Sequence, residues 1–309
     1  MSSAEYVLTL SCPDRPGVVA AVSGLLAGRG CNIIESQQFG DRDAGRFFMR
    51  VQFSTPGTAS EDKLRVAFAE LAPEFGMEIT LRDTAVKPRV LILVSKYGHC
   101  LNDLLYRVRS GTLDVEIVAV ASNHPDLRPL TQSYGIDYHH LPVTPETKSR
   151  QEAEILALVE HYRADAVVLA RYMQVLSEDL CAKLAGRAIN IHHSFLPSFK
   201  GAKPYHQAHA RGVKLIGATA HYVTSDLDEG PIIEQEVARV NHSHSPEDLV
   251  AIGRDLECVA LARAVKWHVE QRVLLDGHKT VVFPVKGFRD FRREPVLRTS
   301  GPAPETNEW

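Results

Sequence analysis

Apolar positions in the first 84 residues follow the spacings of a small domain with six elements. Segments rich in β-branched and aromatic residues are typical of strands, whereas apolar residues three and four apart are typical of helices. The predicted elements are a strand at 6–11, a helix from 14 to about 30, strands at 31–39 and 45–53, a helix at 60–75 and a strand at 77–83. The resulting β-α-β-β-α-β order is typical of a ferredoxin-like α+β sandwich.

The first predicted helix opens with the letters DRPG at residues 14–17. Aspartate is a favoured N-cap residue, and proline is favoured in the first turn because its missing N–H needs no partner there. We therefore expect Asp14 near the N-cap and Pro16 in the first turn. The domain is predicted to span residues 1–84, with a linker at 85–88.

The pattern changes from residue 89 onwards to short, continuously apolar strands separated by helical stretches. The predicted strands lie at 89–95, 115–122, 136–142 and 165–170. Such runs are typical of strands in a parallel sheet that is covered on both faces. The sequence therefore predicts a Rossmann-like α/β domain with a mostly parallel sheet over 89–285, and a C-terminal extension at 286–309. A long helix with Ser245 as N-cap and Pro246 at its first position is predicted to end before Gly277.

Two polar residues, Asn190 and His192, interrupt a predicted strand that opens into the loop HSFLPS. Side chains two apart lie on one face of a strand, so this pair points together while Ile191 enters the core. Ligands of parallel sheets bind beyond the carboxyl ends of strands. An amide donor beside an imidazole suits a reaction in which a carbonyl oxygen becomes negative and a proton moves. The alternative is a loop whose polar groups satisfy the backbone.

Composition narrows the classes of function. The chain has 309 residues, of which 44% are hydrophobic and 24% charged, which suits two ordinary folded domains. A net charge of -3 gives no basic footprint for nucleic acid, and we find neither an apolar run of membrane-spanning length nor a secretory signal. We therefore expect a cytoplasmic protein without nucleic-acid or membrane partners. No glycine-rich nucleotide motif follows a predicted strand, which argues against a nucleotide cofactor. The five cysteines are scattered along the chain, which argues against disulfides and a thiolate zinc site.

A predicted loop at 221–233 crowds Asp226, Asp228 and Glu229. By itself such a cluster is typical of a solvated turn. Histidines elsewhere in the domain could join Asp228 around a metal ion, which would make the protein a metal-dependent hydrolase. These histidines are His192, His193, His206, His209 and His221. The residues alone leave this alternative open.

Two motifs together, NIHxSxLPS from Asn190 and LDEGPII from Leu227, resemble those of the formyltransferase-like folate enzymes. The resemblance covers about residues 89–283. It implies that Asn190 binds the formyl oxygen, that His192 is the catalytic imidazole and that Asp228 is the essential carboxylate. It implies neither a metal nor a cofactor beyond the folate substrate. The implied substrate-binding residues are Met173, Gln174, Val175, Leu176 and Val223.

Members of that family differ in whether an amine or water receives the formyl group. Transferases that act on a phosphorylated amine carry a glycine-rich loop after the first strand, where this chain reads SKYGHCL with the single Gly98. The chain is most similar to members that hydrolyse 10-formyltetrahydrofolate to formate and tetrahydrofolate. Transfer to an amine acceptor is the alternative. His193 stands where the transferases commonly have proline, and its role is open.

The first domain resembles the ACT domain, a family of small regulatory modules, through DRPGVVAAVSGLLAGRGCNI at 14–33. That family often binds an amino acid at the turn before its first helix, commonly between two copies. The resemblance implies a regulatory site at Asp14, Gly17 and Asn32, with glycine or methionine as possible effectors, and a homo-oligomer. Free backbone donors at a helix start can hold a carboxylate. The alternative is a module that serves assembly alone.

Overall fold

The structure is a computed structural model that describes residues 4–56, 61–196 and 204–285. Its first unit is a four-stranded antiparallel sheet in the order β2-β3-β1-β4, with helices α1 and α2 packed on it through one apolar core. This arrangement confirms the predicted α+β sandwich. The elements are β1 (Ala4–Pro13), α1 (Val18–Gly28), β2 (Asn32–Asp41), β3 (Arg46–Thr55), α2 (Glu61–Phe75) and β4 (Glu78–Asp83).

Helix α1 begins later than the sequence predicts. Its N-cap is Gly17, which has φ 100° and makes no side-chain capping bond. Glycine adopts this left-handed backbone without steric strain, so the chain turns sharply there and the helix starts after it. Asp14 and Pro16 therefore precede the helix instead of forming its cap and first turn. The backbone N–H of Asp14 instead donates to the carbonyl of Gly45 at 2.9 Å.

The second unit contains a seven-stranded sheet in the order β11-β10-β9-β8-β5-β6-β7. Its strands β5 to β9 are parallel, and β10 and β11 add an antiparallel edge, which confirms the mostly parallel α/β prediction. The elements are β5 (Arg89–Val94), α3 (His99–Arg109), β6 (Glu116–Ser122), α4 (Arg128–Ser133), β7 (Tyr138–His140), α5 (Lys148–His161), β8 (Ala166–Leu169), α6 (Glu178–Lys183), β9 (Ala188–His192), α7 (Pro204–Ala210), β10 (Leu215–Tyr222), β11 (Ile232–Arg239) and α8 (Pro246–Val269).

The strand order reverses between β5 and β8. From β5 the chain passes to β6 and β7 on one side, and it then returns to β8 and β9 on the other side. In doubly wound sheets a crevice opens outside the carboxyl ends of the strands at such a reversal. Apolar clusters cover both faces of the sheet, so the carboxyl edge is where polar side chains gather.

Helix α8 begins as the sequence predicts and ends earlier. Ser245 caps it in a reciprocal capping box with Asp248, and Pro246 is its first residue. The helix ends at Val269, and a hairpin of β12 (Val273–Asp276) and β13 (Lys279–Val282) follows in place of the predicted last helical turns. The two strands are joined by Gly277 and His278, and Gly277 has φ 60°, the left-handed conformation that tight two-residue hairpin turns require at their first position.

The two units meet at the C-terminal end of α8. The buried Arg50 of β3 pairs with Glu35 of β2, with 2.8 Å between Nη1 and Oε2. Its Nε and Nη2 donate to the carbonyl of Glu270, the C-cap of α8, at 3.3 and 3.2 Å. Arg272 reaches the same carboxylate of Glu35 at 3.4 Å. A cation at a helix C-terminus is favourable, so these charges join the first unit to α8.

Two predicted features lie outside the described residues: the proline-bearing part of the loop after Leu196, and the C-terminal extension at 286–309. Within the described ranges, no helix combines the length and the apolar character that crossing a membrane requires. The five cysteines are free thiols, in keeping with the absence of a disulfide framework in the sequence.

Candidate active site

Asn190 and His192 lie at the carboxyl end of β9 and share one face of the strand. Antiparallel pairing with β10 sets Asn190 opposite His221 and His192 opposite Thr219. Ile191, between them, is buried in the apolar core on the other face of the sheet. The short strand is thus anchored by its apolar residue, and two polar side chains are held at a rigid edge of the sheet.

Asp228 reaches this pair from the loop between β10 and β11. Its Oδ1 lies 3.1 Å from Nδ1 of His192. Asp228 has φ 58°, a left-handed conformation that costs about 1 kcal/mol or more for a residue other than glycine. Gly230 follows closely, and a side chain there would collide with the carbonyl oxygen of Tyr222. The loop therefore turns tightly against β10 and carries the carboxylate over the strand end.

His221 is a neutral partner that orients Asn190. Its Nδ1 lies 2.9 Å from the carbonyl oxygen of Tyr222, so Nδ1 carries the hydrogen and Nε2 is free to accept. Nε2 lies 3.3 Å from Nδ2 of Asn190, which donates to it. Burial lowers the pKa of His221 and keeps the imidazole neutral. Among the described residues, the second hydrogen of the Asn190 amide has no partner, so it is left for a ligand.

Charges at the site are separated by environment. Burial alone would raise the pKa of Asp228, but the hydrogen bond and charge of His192 outweigh it and hold that pKa below its ordinary value. Burial and the charge of Arg171 lower the pKa of His193 to about 4. The buried Nε2 of His192 has no hydrogen-bond partner among the described residues. The ionised carboxylate of Asp228 thus binds Nδ1 of His192 and leaves Nε2 of the same ring available to a ligand.

A cavity of about 250 Å³ opens beside these residues. Every predicted catalytic and substrate-binding residue lines it: Asn190, His192, Asp228, Met173, Gln174, Val175, Leu176 and Val223. Met173 and Val175 are about half exposed, at 51% and 55%, so apolar surface is presented to a ligand. Apolar walls with a few convergent polar groups are typical of small-molecule sites.

The cavity wall at 171–176 is a loop that Ser95 holds in place. The backbone N–H of Met173 donates to Oγ of Ser95 at 3.0 Å, and the backbone N–H of Ser95 donates to the carbonyl of Arg171 at 3.2 Å. Ser95 in turn donates to Asn123 at 2.7 Å. These bonds tie the carboxyl ends of β5, β6 and β8 together. The sequence placed Ser95 only at a strand end and counted His221 only as a possible metal ligand, although the alternation of Thr219 and His221 along β10 could have shown that His221 faces Asn190.

Of the five histidines of the metal alternative, His192 and His221 lie 3.1 and 3.8 Å from Oδ1 of Asp228, but among the described residues they do not form a metal-ligand group with it. Among the described residues, the one group of three potential ligands within metal-binding distance is His99, Cys100 and Glu257, whose ligand atoms lie within 4.8 Å of one another. A hydrogen bond with Cys258 and burial raise the pKa of the Cys100 thiol, which disfavours the thiolate that a metal needs.

The predicted regulatory residues lie at two ends of the first unit. Asp14 and Gly17 are exposed beside the β2–β3 hairpin, and a side chain at Gly40 would lie 3.1 Å from Oδ2 of Asp14. Asn32 begins β2, eight residues before Gly40, so roughly 25 Å of strand separates it from Asp14. Within one chain the structure brings Gly17 to Asp14 but does not bring Asn32 to them.

Sequence comparison shows two family matches along the chain. The profile described as "Formyl transferase" matches residues 88–265, and the profile described as "ACT domain" matches residues 6–62. The class is therefore a formyl transferase domain preceded by an ACT domain.

Individual relatives narrow this class. A formyltetrahydrofolate deformylase of Corynebacterium sp. is 56% identical over 90% of this chain and 98% of the relative. One of Bacillus subtilis is 49% identical over 89% of this chain and 93% of the relative. The crystal structure of the Burkholderia mallei deformylase has a TM-score of 0.88 and 56% identity, and the match covers 91% of this chain and 100% of that one. The chain belongs to the formyltetrahydrofolate deformylase family, which confirms the resemblance seen in its motifs.

Transferases of the same fold are more distant. Glycinamide ribonucleotide transformylase 1 of Symbiobacterium toebii has a TM-score of 0.61 and 28% identity, and the match covers 66% of this chain and 98% of that one. The shared part is thus shorter than the match to the deformylases, which extends over nine-tenths of this chain.

Proposed function

We propose that this protein hydrolyses 10-formyltetrahydrofolate to formate and tetrahydrofolate. The observation that carries the proposal is the meeting of Asn190, His192 and Asp228 in one cavity, with 3.1 Å between the imidazole and the carboxylate. The names of the relatives supply the substrate. The alternative, transfer of the formyl group to an amine, uses the same three residues and differs only in the nucleophile.

The three residues suit attack on a formyl carbon. As the oxygen of water bonds to that carbon, the carbonyl electron pair moves onto the formyl oxygen. The free hydrogen of the Asn190 amide and an Nε2–H of His192 would stabilise the resulting oxyanion more strongly than the ground-state carbonyl. The bond from the carbon to N10 then breaks, N10 takes up a proton and formate leaves.

Asp228 completes this chemistry through His192. In the protonated form that this step requires, the imidazole donates its Nδ1–H to the ionised carboxylate and keeps its Nε2–H for the oxyanion. The carboxylate is also a base that can take the proton of the attacking water, directly or through a second water. His221 holds the Asn190 amide in the orientation that this arrangement needs.

The loop at 171–176 supports a folate-binding role. Met173, Val175 and Leu176 offer apolar surface for a flat ring, and Val223 and Gln174 contribute to the same wall. Because Ser95 fixes the backbone of this loop, its peptide groups are held at constant positions for hydrogen bonds to a ring edge. Backbone groups and apolar side chains together are sufficient to orient a planar heterocycle.

The ACT domain supports regulation by an amino acid, with glycine and methionine as candidate effectors. Gly17 begins α1 without a side-chain cap, so its first backbone N–H groups are available to a carboxylate, and Asp14 lies nearby for an ammonium group. Because Asn32 lies far from both, a complete site would need the Asn32 of a second copy. The edge strand β2 carries the exposed apolar residues Ile33, Ile34 and Phe39, which suits a homo-oligomer.

The test is a product assay on the full-length protein. The protein is incubated with 10-formyltetrahydrofolate, and formate and tetrahydrofolate are measured with and without glycinamide ribonucleotide. Equal amounts of formate and tetrahydrofolate, unaffected by the amine, are expected. Formylated amine that accumulates faster than formate would replace the hydrolase assignment with the transferase one. Elemental analysis of the active protein tests the metal alternative, which predicts a stoichiometric metal.

A further inference from the structure

Arg171 has a backbone conformation that arginine normally avoids. It lies two residues after the end of β8 and has φ 64°, in the left-handed region that favours glycine. The residue also lies at the reversal of the strand order between β8 and β5, where a doubly wound sheet normally receives a ligand. Strained residues that persist at such a place point to a task for the side chain.

The side chain of Arg171 forms an ion pair with a buried carboxylate of α8. Its Nε lies 3.4 Å from Oε2 of Glu257, which is fully buried in the middle of α8. His99 Nε2 lies 2.7 Å from the same oxygen, and the hydroxyl of Tyr205 donates to Oε1 at 3.0 Å. The guanidinium carbon lies 5.7 Å from the centre of the Tyr97 ring. Arg171 thus has a buried anion of α8 on one side and an aromatic ring beyond β5 on the other, although its Nε makes no hydrogen bond among the described residues.

The charges of this network balance without a bound ion, because the carboxylate of Glu257 is paired with the guanidinium of Arg171. Burial alone would raise the pKa of Glu257, but the hydrogen bond from His99 and the charge of Arg171 hold it below its ordinary value. The carboxylate thus stays ionised and paired with the guanidinium. Although His99, Cys100 and Glu257 lie within metal-ligand distance, the permanent charge of Arg171 beside Oε2 disfavours a cation there.

Arg171 lines the same cavity as Asn190, His192 and Asp228, whereas Glu257 does not line it. The arginine therefore lines the cavity and also reaches into the crevice beyond the end of β5, where its guanidinium contacts Tyr97. A water molecule needs little room beside the formyl carbon, but an amine acceptor needs room for the rest of its molecule. We propose that Arg171, held by Glu257, closes this crevice to amine acceptors and so reserves the formyl group for water.

This inference rests on the proposed function and concerns its specificity. Both reactions break the bond from the formyl carbon to N10, and N10 gains a proton in each. In hydrolysis the oxygen of water forms the new bond and loses a proton; in transfer the nitrogen of an amine does so. Because amines are better nucleophiles than water, exclusion of the amine decides the product.

The experiment measures the ratio of formylated glycinamide to formate when the enzyme acts on 10-formyltetrahydrofolate in excess glycinamide. Arg171→Gly removes the wall and suits the left-handed backbone. Arg163→Gly is the matched control, because Arg163 is an exposed arginine with φ 47° in the turn after α5. We expect the ratio to rise about tenfold or more in Arg171→Gly and to match wild type in Arg163→Gly. The ratio does not depend on how much of a variant is folded.

Glu257→Gln is a second variant that keeps the shape and removes the charge that anchors Arg171. Its ratio should also rise, by less than in Arg171→Gly. Ratios at the wild-type value in both variants overturn the inference, as does a wild-type enzyme that already formylates glycinamide as fast as it releases formate. A wild-type enzyme that releases no formate at all refutes the proposed function, and the inference then falls with it.

Discussion

The catalytic residues share one cavity within a single chain, whereas the candidate regulatory residues lie at two ends of a sheet. Asn190 and His192 are two apart on a buried strand, and a tight loop brings Asp228 within 3.1 Å of the imidazole. Asp14 and Gly17 stand at the hairpin end of the first unit, and Asn32 stands at the other end of β2. Strand register can therefore complete a site within one chain, whereas residues at the two ends of a strand could meet only if two copies came together.

The largest expected effect tests whether the first site is complete. Removal of one oxyanion donor typically costs a hundredfold to a thousandfold in turnover. We expect Asn190→Ala and His192→Ala each to lower kcat by about that factor, and Asp228→Asn to be similar or worse. Steady-state formate release measures the effect, and circular dichroism checks the fold. Near-normal turnover in any of the three folded variants removes that residue from the mechanism.

Most of the fold follows from the apolar pattern, because burial on one or both faces imposes the strand and helix spacings. The exceptions are local. The start of α1 depends on the left-handed backbone of Gly17. The sequence DRPG predicts an earlier start, because aspartate and proline are both favourable at the beginning of a helix. The strands β12 and β13 have four residues each, which is too short for an alternation of apolar and polar residues to be recognised. The helical pattern of α8 also continues into them in the sequence.

The site shows a sharper limit. Asn190, His192 and Asp228 follow from strand spacing and motif resemblance, and the end of the predicted strand places Arg171 at the same crevice, but its pairing with Glu257 does not follow from the sequence. A glutamate in the middle of an amphipathic helix normally faces water, and only the packing of α8 against α3 and α7 makes Glu257 a buried partner. The positive φ of Arg171 is likewise a property of the folded chain.

The next largest effect concerns the link between the two regions. Arg50→Met should lower the free energy of unfolding by about 2 to 4 kcal/mol, because Glu35 loses a buried partner and the end of α8 loses its cation. Urea denaturation measures it. Arg150→Met is the control: its ion pair with Glu154 is exposed, so the change should stay below about 1 kcal/mol. Equal losses in the two variants would mean that the buried contacts of Arg50 with Glu35 and with the Glu270 carbonyl do not stabilise the protein.

The stability of the protein should depend on pH between about 4 and 6.5 through histidines of the second unit, because the first 84 residues contain no histidine. Burial and neighbouring cations lower the pKa values of His193 and His268 to about 4, from an ordinary 6.5. Since the unfolded chain then binds more protons between these values, this stabilisation is complete above pH 6.5 and is lost as the pH falls towards 4.

Calorimetry should therefore show a lower Tm at pH 5 than at pH 7. Nδ1 of His268 lies 2.8 Å from the Tyr222 hydroxyl and forms a hydrogen bond with it. The side chain of an asparagine can make this hydrogen bond in its place. His268→Asn should make the drop in Tm smaller, whereas His140→Asn, at an exposed position, should leave it unchanged. A drop that is identical in wild type and His268→Asn would contradict the assignment.

The smallest expected effect tests whether the regulatory region is a ligand site at all. The measured quantity is the ratio of formate release with and without titrated glycine or methionine, because this ratio isolates the response from the basal rate. A coupling of about 1 to 3 kcal/mol corresponds to a change of several-fold or more. Asp14→Asn removes the charge that would pair with the ammonium group, so the ratio should move towards one. Asp43→Asn, which alters another exposed carboxylate at the same end of the sheet, should respond like wild type.

Asn32→Ala separates the two ways of building that site. If a second copy supplies Asn32, the variant should lose the amino-acid response as Asp14→Asn does, while light scattering still reports an oligomer. A response that survives Asn32→Ala and fails in Asp14→Asn would confine the site to the hairpin end of one chain. A wild-type protein that is indifferent to both amino acids and binds neither by calorimetry would leave the domain with assembly as its task, because an effector can act only through differential affinity for two states.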